Sequence, residues 1–467
     1  MFGLDSSLTI LLLISILLAC AFEFINGFHD TANAVATVIY TNSLKPNHAV
    51  MISGFFNFIG VFAGGIAVAM GIVNLLPVEL LIDQSIMHSV AMVLAMLLTA
   101  IIWNLGTWYY GIPCSSSHTL IGSILGVGIA FTLLPGNEAV SGVNWSKAQS
   151  IGLSLLVSPA LGFTLTILMM YIVKKLISNP AIFEPAKTNE TPPGWVRAIL
   201  IFTCSGVSFS HGSNDGQKGV GLIMLVLIGI VPAKFSLDSR KNPLEMQGHL
   251  IELQRTFKGL NLNPTETADR IHVAVLDENL TQLAATLDSF KAQGSIPEEK
   301  NFLIRKNILL IGQEVEGISK SLTLKLSKKS KDALKKDMKH LKEYTDYAPT
   351  WVILMISLSL GIGTMVGWKR IVVTIGEKIG KSHLSYAQGA SAELVAASTI
   401  GLAALSGLPV STTHVLSSGI TGSMVATGGL KNVQGKTLQT MALAWVLTLP
   451  VTTIMSGLLF VFFRKIL

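Results

Sequence analysis

Long, nearly unbroken runs of apolar residues follow one another along most of the chain, separated by short polar segments. Several runs reach roughly the 20 residues that an α-helix needs to span a bilayer. They lie at 8–25, 49–73, 86–110, 150–173, 347–367 and 438–463. Because apolar and polar residues do not alternate in them, they do not fit the strands of a membrane barrel. The pattern predicts an all-α polytopic membrane protein.

One stretch, 236–346, breaks this pattern. It holds 34 of the 61 charged residues, 18 basic and 16 acidic. Apolar residues recur there at helical spacing beside polar faces, as in "LEMQGHLIELQRTFKGL". We expect a soluble helical insert outside the membrane. Its lysine-rich run "LKLSKKSKDALKKDMKHLK" fits a solvated helix face, with binding to anionic lipid as the alternative.

Two pairs of motifs indicate an internal duplication. "NGFHDTANAV" (26–35) shares a glycine and an aspartate with "SHGSNDGQKG" (210–219), at an offset of 185 residues. "GIPCSSSHTLIGSILG" (111–126) matches "GLPVSTTHVLSSGITG" (407–422), at an offset of 296. The offsets differ by 111 residues, which is the length of the polar insert. Paired halves with glycine- and proline-interrupted apolar segments are typical of secondary transporters.

The duplication predicts the layout of the chain. Five regions follow in order: membrane repeat 1 (1–178), a loop (179–195), the first part of repeat 2 (196–235), the soluble insert (236–346) and the second part of repeat 2 (347–467). We expect a glycine-rich break at 212–221, formed by two short crossings or by a re-entrant hairpin.

Composition and charge support this class of protein. Only 13% of the residues are charged, against about 25% in soluble domains. The net charge of +7 comes from lysines and arginines in loops, as in cytoplasmic loops of membrane proteins, and does not indicate nucleic-acid binding. The three cysteines offer neither a disulfide framework nor a metal-binding spacing.

Four carboxylates lie within the apolar stretches, namely Glu23, Asp30, Asp215 and Glu393, and Lys218 is the one basic residue there. Ionisable groups inside a membrane are costly and usually mark a transport path. The alternative is a structural ion pair, such as Asp215 with Lys218 one helical turn away. The repeat positions of Asp30 and Asp215 favour function, whereas both interpretations stay open for Glu23 and Glu393.

The second motif pair supplies hydrogen-bond donors. "CSSSH" and "STTH" each follow a Gly-x-Pro sequence. Proline favours the start of a helix, and serine or threonine caps it. Each motif therefore predicts a helix N-terminus at membrane depth, which is a ready anion site. The alternative is hydroxyls that bond their own backbone in an ordinary membrane helix.

These groups together indicate the kind of solute. Hydroxyls and N–H groups suit a tetrahedral oxyanion, but Asp30 and Asp215 would repel a fully deprotonated one such as sulfate. The carboxylates become useful when the substrate carries a proton or arrives with a cation. Asn33 and Asn214 add amide oxygens, which hard cations prefer. The residues alone therefore indicate an oxyanion–cation symporter, with phosphate favoured.

At these motifs the sequence closely resembles the inorganic phosphate transporter (Pit) family. The family signature, approximately Gly-x-Asn-Asp-x-Ala-Asn, stands here as "GFHDTAN" (27–33) and "GSNDGQK" (212–218), and Pro-x-Ser-Thr-Thr-His stands as "PCSSSH" (113–118) and "PVSTTH" (409–414). "SLGIGTMVGWKRIVVTIGEKIG" (359–380) is also similar. The resemblance covers essentially the whole membrane portion and is strongest to bacterial low-affinity, proton-coupled members.

The resemblance implies about ten to twelve transmembrane helices in two inverted-topology repeats, with broken or re-entrant helices. It implies import of phosphate, as a neutral complex with a divalent metal such as Mg²⁺, together with H⁺ by alternating access across the bacterial inner membrane. No resident cofactor, nucleic acid or catalytic residue is expected. The expected partners are phosphate and membrane lipid, and a homodimer is one option.

The resemblance also assigns residues. Those expected to bind substrate are Asp30, Asn33, Ser115, Ser116, Ser117, Asn214, Asp215, Ser411, Thr412 and Thr413. Those expected to couple cations or protons are Asp30, Asp215, His29, Lys218, His118 and His414. Asp30 and Asp215 would hold the co-transported metal.

Two departures from the family signature favour protons over sodium. His29 and Lys218 stand where the signature has asparagines. A lysine ammonium can take the place of a cation beside Asp215, and an imidazole titrates near physiological pH. His118 and His414 close both hydroxyl motifs, where they could relay protons, ligate a metal or orient the hydroxyls.

Other functions are rivals to proton-coupled phosphate transport. A membrane hydrolase would need one nucleophile with one base, but the motifs are duplicated and nothing resembles a nucleophile elbow. A channel is a second rival. A sodium-coupled phosphate symporter or a sulfate permease of the same family is the most serious alternative.

Overall fold

The computed structural model describes residues 2–76, 86–137, 142–186, 190–260, 262, 264 and 266–467, without the side chains of 31–33. This part of the chain is mainly helical and contains no strand, which confirms the all-α prediction. The helices are α1 (Ser6–Tyr40), α2 (Pro46–Ala63), α3 (Ala67–Val73), α4 (Ile86–Tyr109), α5 (Ser116–Thr132), α6 (Trp145–Leu176), α7 (Gly194–His211), α8 (Gln217–Ile230), α9 (Pro232–Phe235), α10 (Met246–Lys258), α11 (Thr267–Lys291), α12 (Asn301–Lys320), α13 (Lys328–Lys342), α14 (Thr350–Thr364), α15 (Lys369–Glu377), α16 (Tyr386–Leu405), α17 (Thr412–Gly428) and α18 (Gly435–Ile466).

The chain divides into two compact units. Residues 227–348, with the N-terminal residues up to Thr9, form what we call the insert unit. The remaining described residues, which carry all the motifs, form the membrane unit. The bounds 236–346 of the expected soluble insert lie inside the insert unit.

Several helices of the membrane unit are long and apolar enough to cross a bilayer. Among the described helices these are α1, α4, α6 and α18. Two further spans result when each bent pair is counted as one, α2 with α3 (72°) and α14 with α15 (62°). The apolar run 49–73 was expected to be one span, but it bends between α2 and α3, where Gly65 has a φ of +78°. This conformation is readily available to glycine.

The expected break at 212–221 is not a break in the helix. Residues 194–230 are helical throughout, and the glycine-rich stretch forms a π-helical turn, Gly212–Gly216, between α7 and α8. No proline lies in this segment to end the helix. A π turn widens one turn of a helix and often occurs at functional sites.

The two halves of the membrane unit have matching element orders. Helix α1 corresponds to α7 with the π turn and α8, the bent pair α2/α3 to α14/α15, α4 to α16, α5 to α17, and α6 to α18. The last two helices each contain one internal proline, Pro159 and Pro450. Helix α5 packs on α18 and α17 packs on α6, so each half packs on the other in the same manner.

Close helix packing depends on matched glycines. A Cβ on Gly126 of α5 would lie 2.1 Å from the carbonyl oxygen of Thr453, and one on Gly422 of α17 would lie 2.5 Å from that of Phe163. The two glycines are the last residues of the matching motifs at 111–126 and 407–422. Small residues let membrane helices approach closely where no hydrophobic force joins them.

The insert unit is a packed helical domain. Apolar residues at helical spacing on α10 to α13 form its core, including Leu253, Leu283, Ile308 and Leu334. The two ends of the insert meet, because the Asp238 N–H donates to the Tyr344 carbonyl at 2.9 Å.

Candidate functional site

Both hydroxyl motifs begin a helix, as predicted. A glycine with a φ of +66°, Gly111 or Gly407, precedes each proline and turns the chain. Ser115 then caps α5 and Ser411 caps α17, and each Oγ accepts a hydrogen bond of 3.2 Å from the backbone N–H three residues later. Both helix N-termini are buried within the membrane unit. Buried helix N-termini favour anions.

The two N-termini meet. The Ser117 hydroxyl of α5 donates to the Val410 carbonyl, just before α17, at 2.7 Å. The rings of His118 and His414 lie 4.6 Å apart, and His414 also stacks on Trp445 at 4.0 Å. The imidazole of His118 contacts its own cap, with Nδ1 2.8 Å from Ser115 Oγ. The histidines therefore line the contact between the two termini.

Asp30 and Asp215 converge on this contact. The Ser116 hydroxyl lies 3.1 Å from Asp30 Oδ2 and 3.2 Å from Asp215 Oδ2. From the other half, Thr413 donates to Asp30 Oδ1 at 2.5 Å. The two carboxylates are at most 2% exposed. Both halves thus contribute residues to one buried centre.

A lysine and a histidine complete the centre. Lys218 Nζ lies 2.7 Å from Asp215 Oδ2 and also donates to the Ser117 hydroxyl. His211 Nε2 lies 3.8 Å from Asp30 Oδ2 and 3.7 Å from Asp215 Oδ2. Asp30, His211 and Asp215 offer one ligand atom each, all within 4.8 Å of one another, and could together hold a metal ion.

His211 was missed at the sequence level. It lies in the quoted stretch 210–219, one helical turn before Asp215, and residues at that spacing lie on one helix face. Its Nδ1 lies 2.9 Å from Asn57 Oδ1, and the Asn57 amide donates to Thr364 at 2.9 Å. These contacts fix the ring and direct Nε2 at the two carboxylates.

Some polar atoms of the centre have unused bonding capacity. Asp215 Oδ1, His211 Nε2 and Thr412 Oγ1 are buried and have no hydrogen-bond partner among the described residues. Buried polar groups normally find partners, so these atoms are available to bond a substrate oxygen, a metal ion or water.

The remaining predicted site residues occupy different positions. His29 Nδ1 lies 3.4 Å from Asp30 Oδ1, and its Nε2 lies 3.3 Å from the Thr107 hydroxyl. The Asn214 amide is bonded to the chain before α17, donating to the Leu408 carbonyl (3.0 Å) and accepting from the Val410 N–H (3.2 Å). It therefore holds that N-terminus in place. The side chain of Asn33 lies outside the described residues.

A bundle of apolar helices whose two halves each bring a carboxylate and a helix N-terminus to one buried centre is the construction of a membrane transporter. Comparison with known protein families identifies the kind of transporter. The chain belongs to the phosphate transporter family, whose model matches residues 26–456.

Individual relatives agree with this assignment. The chain is 40% identical over 490 residues to the low-affinity inorganic phosphate transporter PitB of Escherichia coli (strain K12), and 40% identical over 487 residues to PitA of the same strain. Each alignment covers 97% of both chains. Among solved structures, one described as the sodium-dependent phosphate transporter matches the fold with a TM-score of 0.62 and 20% identity, over 98% of this chain and 100% of that one.

Family membership confirms the resemblance seen in the motifs. The protein is a multi-pass transporter of the bacterial inner membrane and not an enzyme, since its relatives are transporters.

Proposed function

We propose that the protein imports inorganic phosphate, as a neutral complex with a divalent metal, together with protons by alternating access. The observation that carries this proposal is the sharing of one hydroxyl, that of Ser116, by Asp30 and Asp215. Two carboxylates this close, with Lys218 as their one fully charged partner among the described residues, repel a bare phosphate dianion. A cargo that brings its own positive charge removes that repulsion.

The centre offers suitable groups for both parts of such a cargo. The N-termini of α5 and α17 present N–H groups and hydroxyls to the phosphate oxygens. Asp30, His211 and Asp215 present carboxylate oxygens and an imidazole nitrogen to the metal. Mg²⁺ is bound in proteins through one or two carboxylates together with substrate phosphates, which is the arrangement proposed here.

Proton coupling is supported by Lys218. Its ammonium lies 2.7 Å from Asp215, fully buried, where a sodium ion would otherwise neutralise that carboxylate. His29 contacts Asp30 on the other side and is a second group able to exchange a proton. Neither carboxylate then needs a sodium ion in addition to the metal of the cargo.

Alternating access is supported by the exchange of packing partners between halves. Helix α5 of the first half packs on α18, and α17 of the second packs on α6. Inverted-topology repeats produce such exchanged contacts, and rocking of one repeat against the other opens a midplane site to each side in turn.

The test is uptake of radiolabelled phosphate into proteoliposomes under a pH gradient, a sodium gradient or neither, each with and without Mg²⁺. We expect the pH gradient to drive uptake and Mg²⁺ to increase it. Asp215→Asn is expected to abolish uptake, whereas Glu377→Gln, at an exposed carboxylate, serves as the matched control. Uptake driven by the sodium gradient alone would show that sodium, and not the proton, is the coupled ion. Sulfate uptake without phosphate uptake would identify a sulfate permease.

A further inference from the structure

Glu23 is a buried carboxylate that the proposed phosphate and metal site does not use. It lies within α1, 0% exposed, seven residues before Asp30. Its Oε2 accepts a hydrogen bond of 3.2 Å from the Asn26 amide, and its Oε1 has no partner among the described residues. The side-chain oxygen of Asn26, Oδ1, likewise has no partner among these residues. The unpartnered atoms are thus two acceptors one helical turn apart.

Close packing places this carboxylate beside the buried centre that contains Asp30 and Asp215, which we call the transport centre. A Cβ on Gly219 would lie 2.3 Å from Glu23 Cγ and 2.7 Å from Oε1, so the side chain rests directly on the α8 backbone next to Lys218. The titratable groups that interact with Glu23 electrostatically are Cys20 on its own helix and His211, Asp215 and Lys218 on the segment packed against it.

Glu393, the other buried glutamate among the described residues of the membrane unit, provides a contrast. Its two oxygens accept hydrogen bonds from the hydroxyls of Thr37 and Thr203, at 2.5 Å for Thr203. Its hydrogen bonding is therefore complete on both oxygens, as expected of a structural group. Glu23 has a partner on Oε2 alone, and an incompletely compensated carboxylate in a membrane protein is costly.

We propose that Glu23 is the residue that carries the transported proton, binding it from the outer solution and releasing it to the cytoplasm. A proton on this carboxylate supplies the donor that the two acceptors lack and removes the buried charge. In the step proposed, a hydronium ion on the outer side gives up a proton to the carboxylate and becomes water, and the neutral carboxyl returns that proton to water on the inner side, where hydronium forms. This inference rests on the proton-coupled function proposed above.

The test uses the variant Glu23→Gln and measures proton-driven accumulation of phosphate separately from phosphate exchange across the membrane. Proteoliposomes receive a gradient of about one pH unit, which is worth about tenfold accumulation for one proton per phosphate. In parallel, exchange of labelled for unlabelled phosphate is measured at equal pH on both sides, where no net proton transfer is needed. We expect accumulation to fall from about tenfold to none, while exchange persists. Glu23→Asp, which retains an ionisable group, should recover part of the accumulation.

Each other outcome has a definite meaning. Wild-type accumulation that follows sodium and ignores pH would overturn the proposed proton coupling itself. Proton-driven accumulation in Glu23→Gln equal to that of the wild type would overturn the role of Glu23 alone. Loss of both accumulation and exchange in Glu23→Gln and Glu23→Asp would make the residue structural. Glu377→Gln is the control and should retain both activities.

Discussion

At the residue scale, the pair formed by Lys218 and Asp215 makes a clear prediction about stability. Both side chains are 1% exposed, and 2.7 Å separates the ammonium from the carboxylate. Lys218→Met leaves the buried carboxylate uncompensated, which we expect to lower the free energy of unfolding by about 3–5 kcal/mol. Thermal denaturation of the purified protein in detergent measures the loss.

The double variant Lys218→Met/Asp215→Asn is the control for this effect. It removes both charges, so most of the lost stability should return even though transport does not. A double variant as unstable as Lys218→Met would show that packing of the lysine stem, and not its charge, is what matters.

A second prediction concerns pH and the insert unit. Burial raises the pKa of Asp238, but hydrogen bonds from Arg240, at 2.8 Å from Nε and from Nη2, outweigh it, and the pKa lies below its ordinary value. A lowered pKa stabilises the fold above the ordinary carboxyl pKa of about 3.9, and this stabilisation is lost as pH falls through the folded value. Asp238→Asn should therefore lower the melting temperature at pH 7.

The difference in melting temperature between wild type and Asp238→Asn should narrow as pH falls below about 4. A difference that stays constant from pH 7 to pH 3 would mean that the carboxylate charge contributes nothing.

The sequence reveals some site residues and hides others for a physical reason. Asp30 and Asp215 are visible because a charge in an apolar run needs an explanation and because they recur in both halves. His211 is not visible, since no matching residue marks it and its role depends on the direction in which Asn57 fixes its ring. Asn214 is visible as a predicted substrate ligand, but the sequence does not show that its amide bonds the chain at 408–410.

At the element scale, the matched glycines of α5 and α17 predict equal sensitivity in both halves. Gly126→Ala and Gly422→Ala would each push a methyl group against a backbone carbonyl of the opposing helix. We expect each to cost about 1–3 kcal/mol of stability. Gly106→Ala in α4 is the matched control, because a Cβ there meets nothing within 4 Å.

The melting temperatures of these three variants measure the effect. Loss of stability in Gly126→Ala but not in Gly422→Ala would contradict equivalent packing of the two halves. Loss in Gly106→Ala would show that helical glycine itself, and not close approach, is what the fold requires.

The positions at which helices begin were easier to predict than the bends and wide turns within them. The two buried N-termini follow from proline and hydroxyl chemistry, which acts within one turn. The bend between α2 and α3 and the π turn between α7 and α8 depend on glycine. Glycine permits a bend or a wide turn without requiring either, so packing by neighbouring helices decides the outcome.

At the scale of the whole molecule, the meeting ends of the insert make it removable. The Asp238 N–H and the Tyr344 carbonyl are joined at 2.9 Å. Replacing residues 239–343 by a short glycine–serine linker should leave the fold of the membrane unit intact and phosphate uptake within about threefold of wild type. All described residues of the transport centre belong to the membrane unit.

Uptake into proteoliposomes by the shortened protein checks this expectation, with circular dichroism as a control for folding. A folded but inactive shortened protein would mean that the insert participates in transport. Unchanged uptake would leave regulation or assembly as its remaining roles.

The Ser116 hydroxyl, placed 3.1 and 3.2 Å from two carboxylates, has one further consequence. A hydroxyl carries a single hydrogen, so a linear, strong hydrogen bond to Asp30 weakens the one to Asp215, and the reverse. Its rotation is therefore a two-position indicator of which aspartate holds the greater negative charge. A vibrational label at this one position would record how charge passes between the two halves of the molecule during a transport cycle.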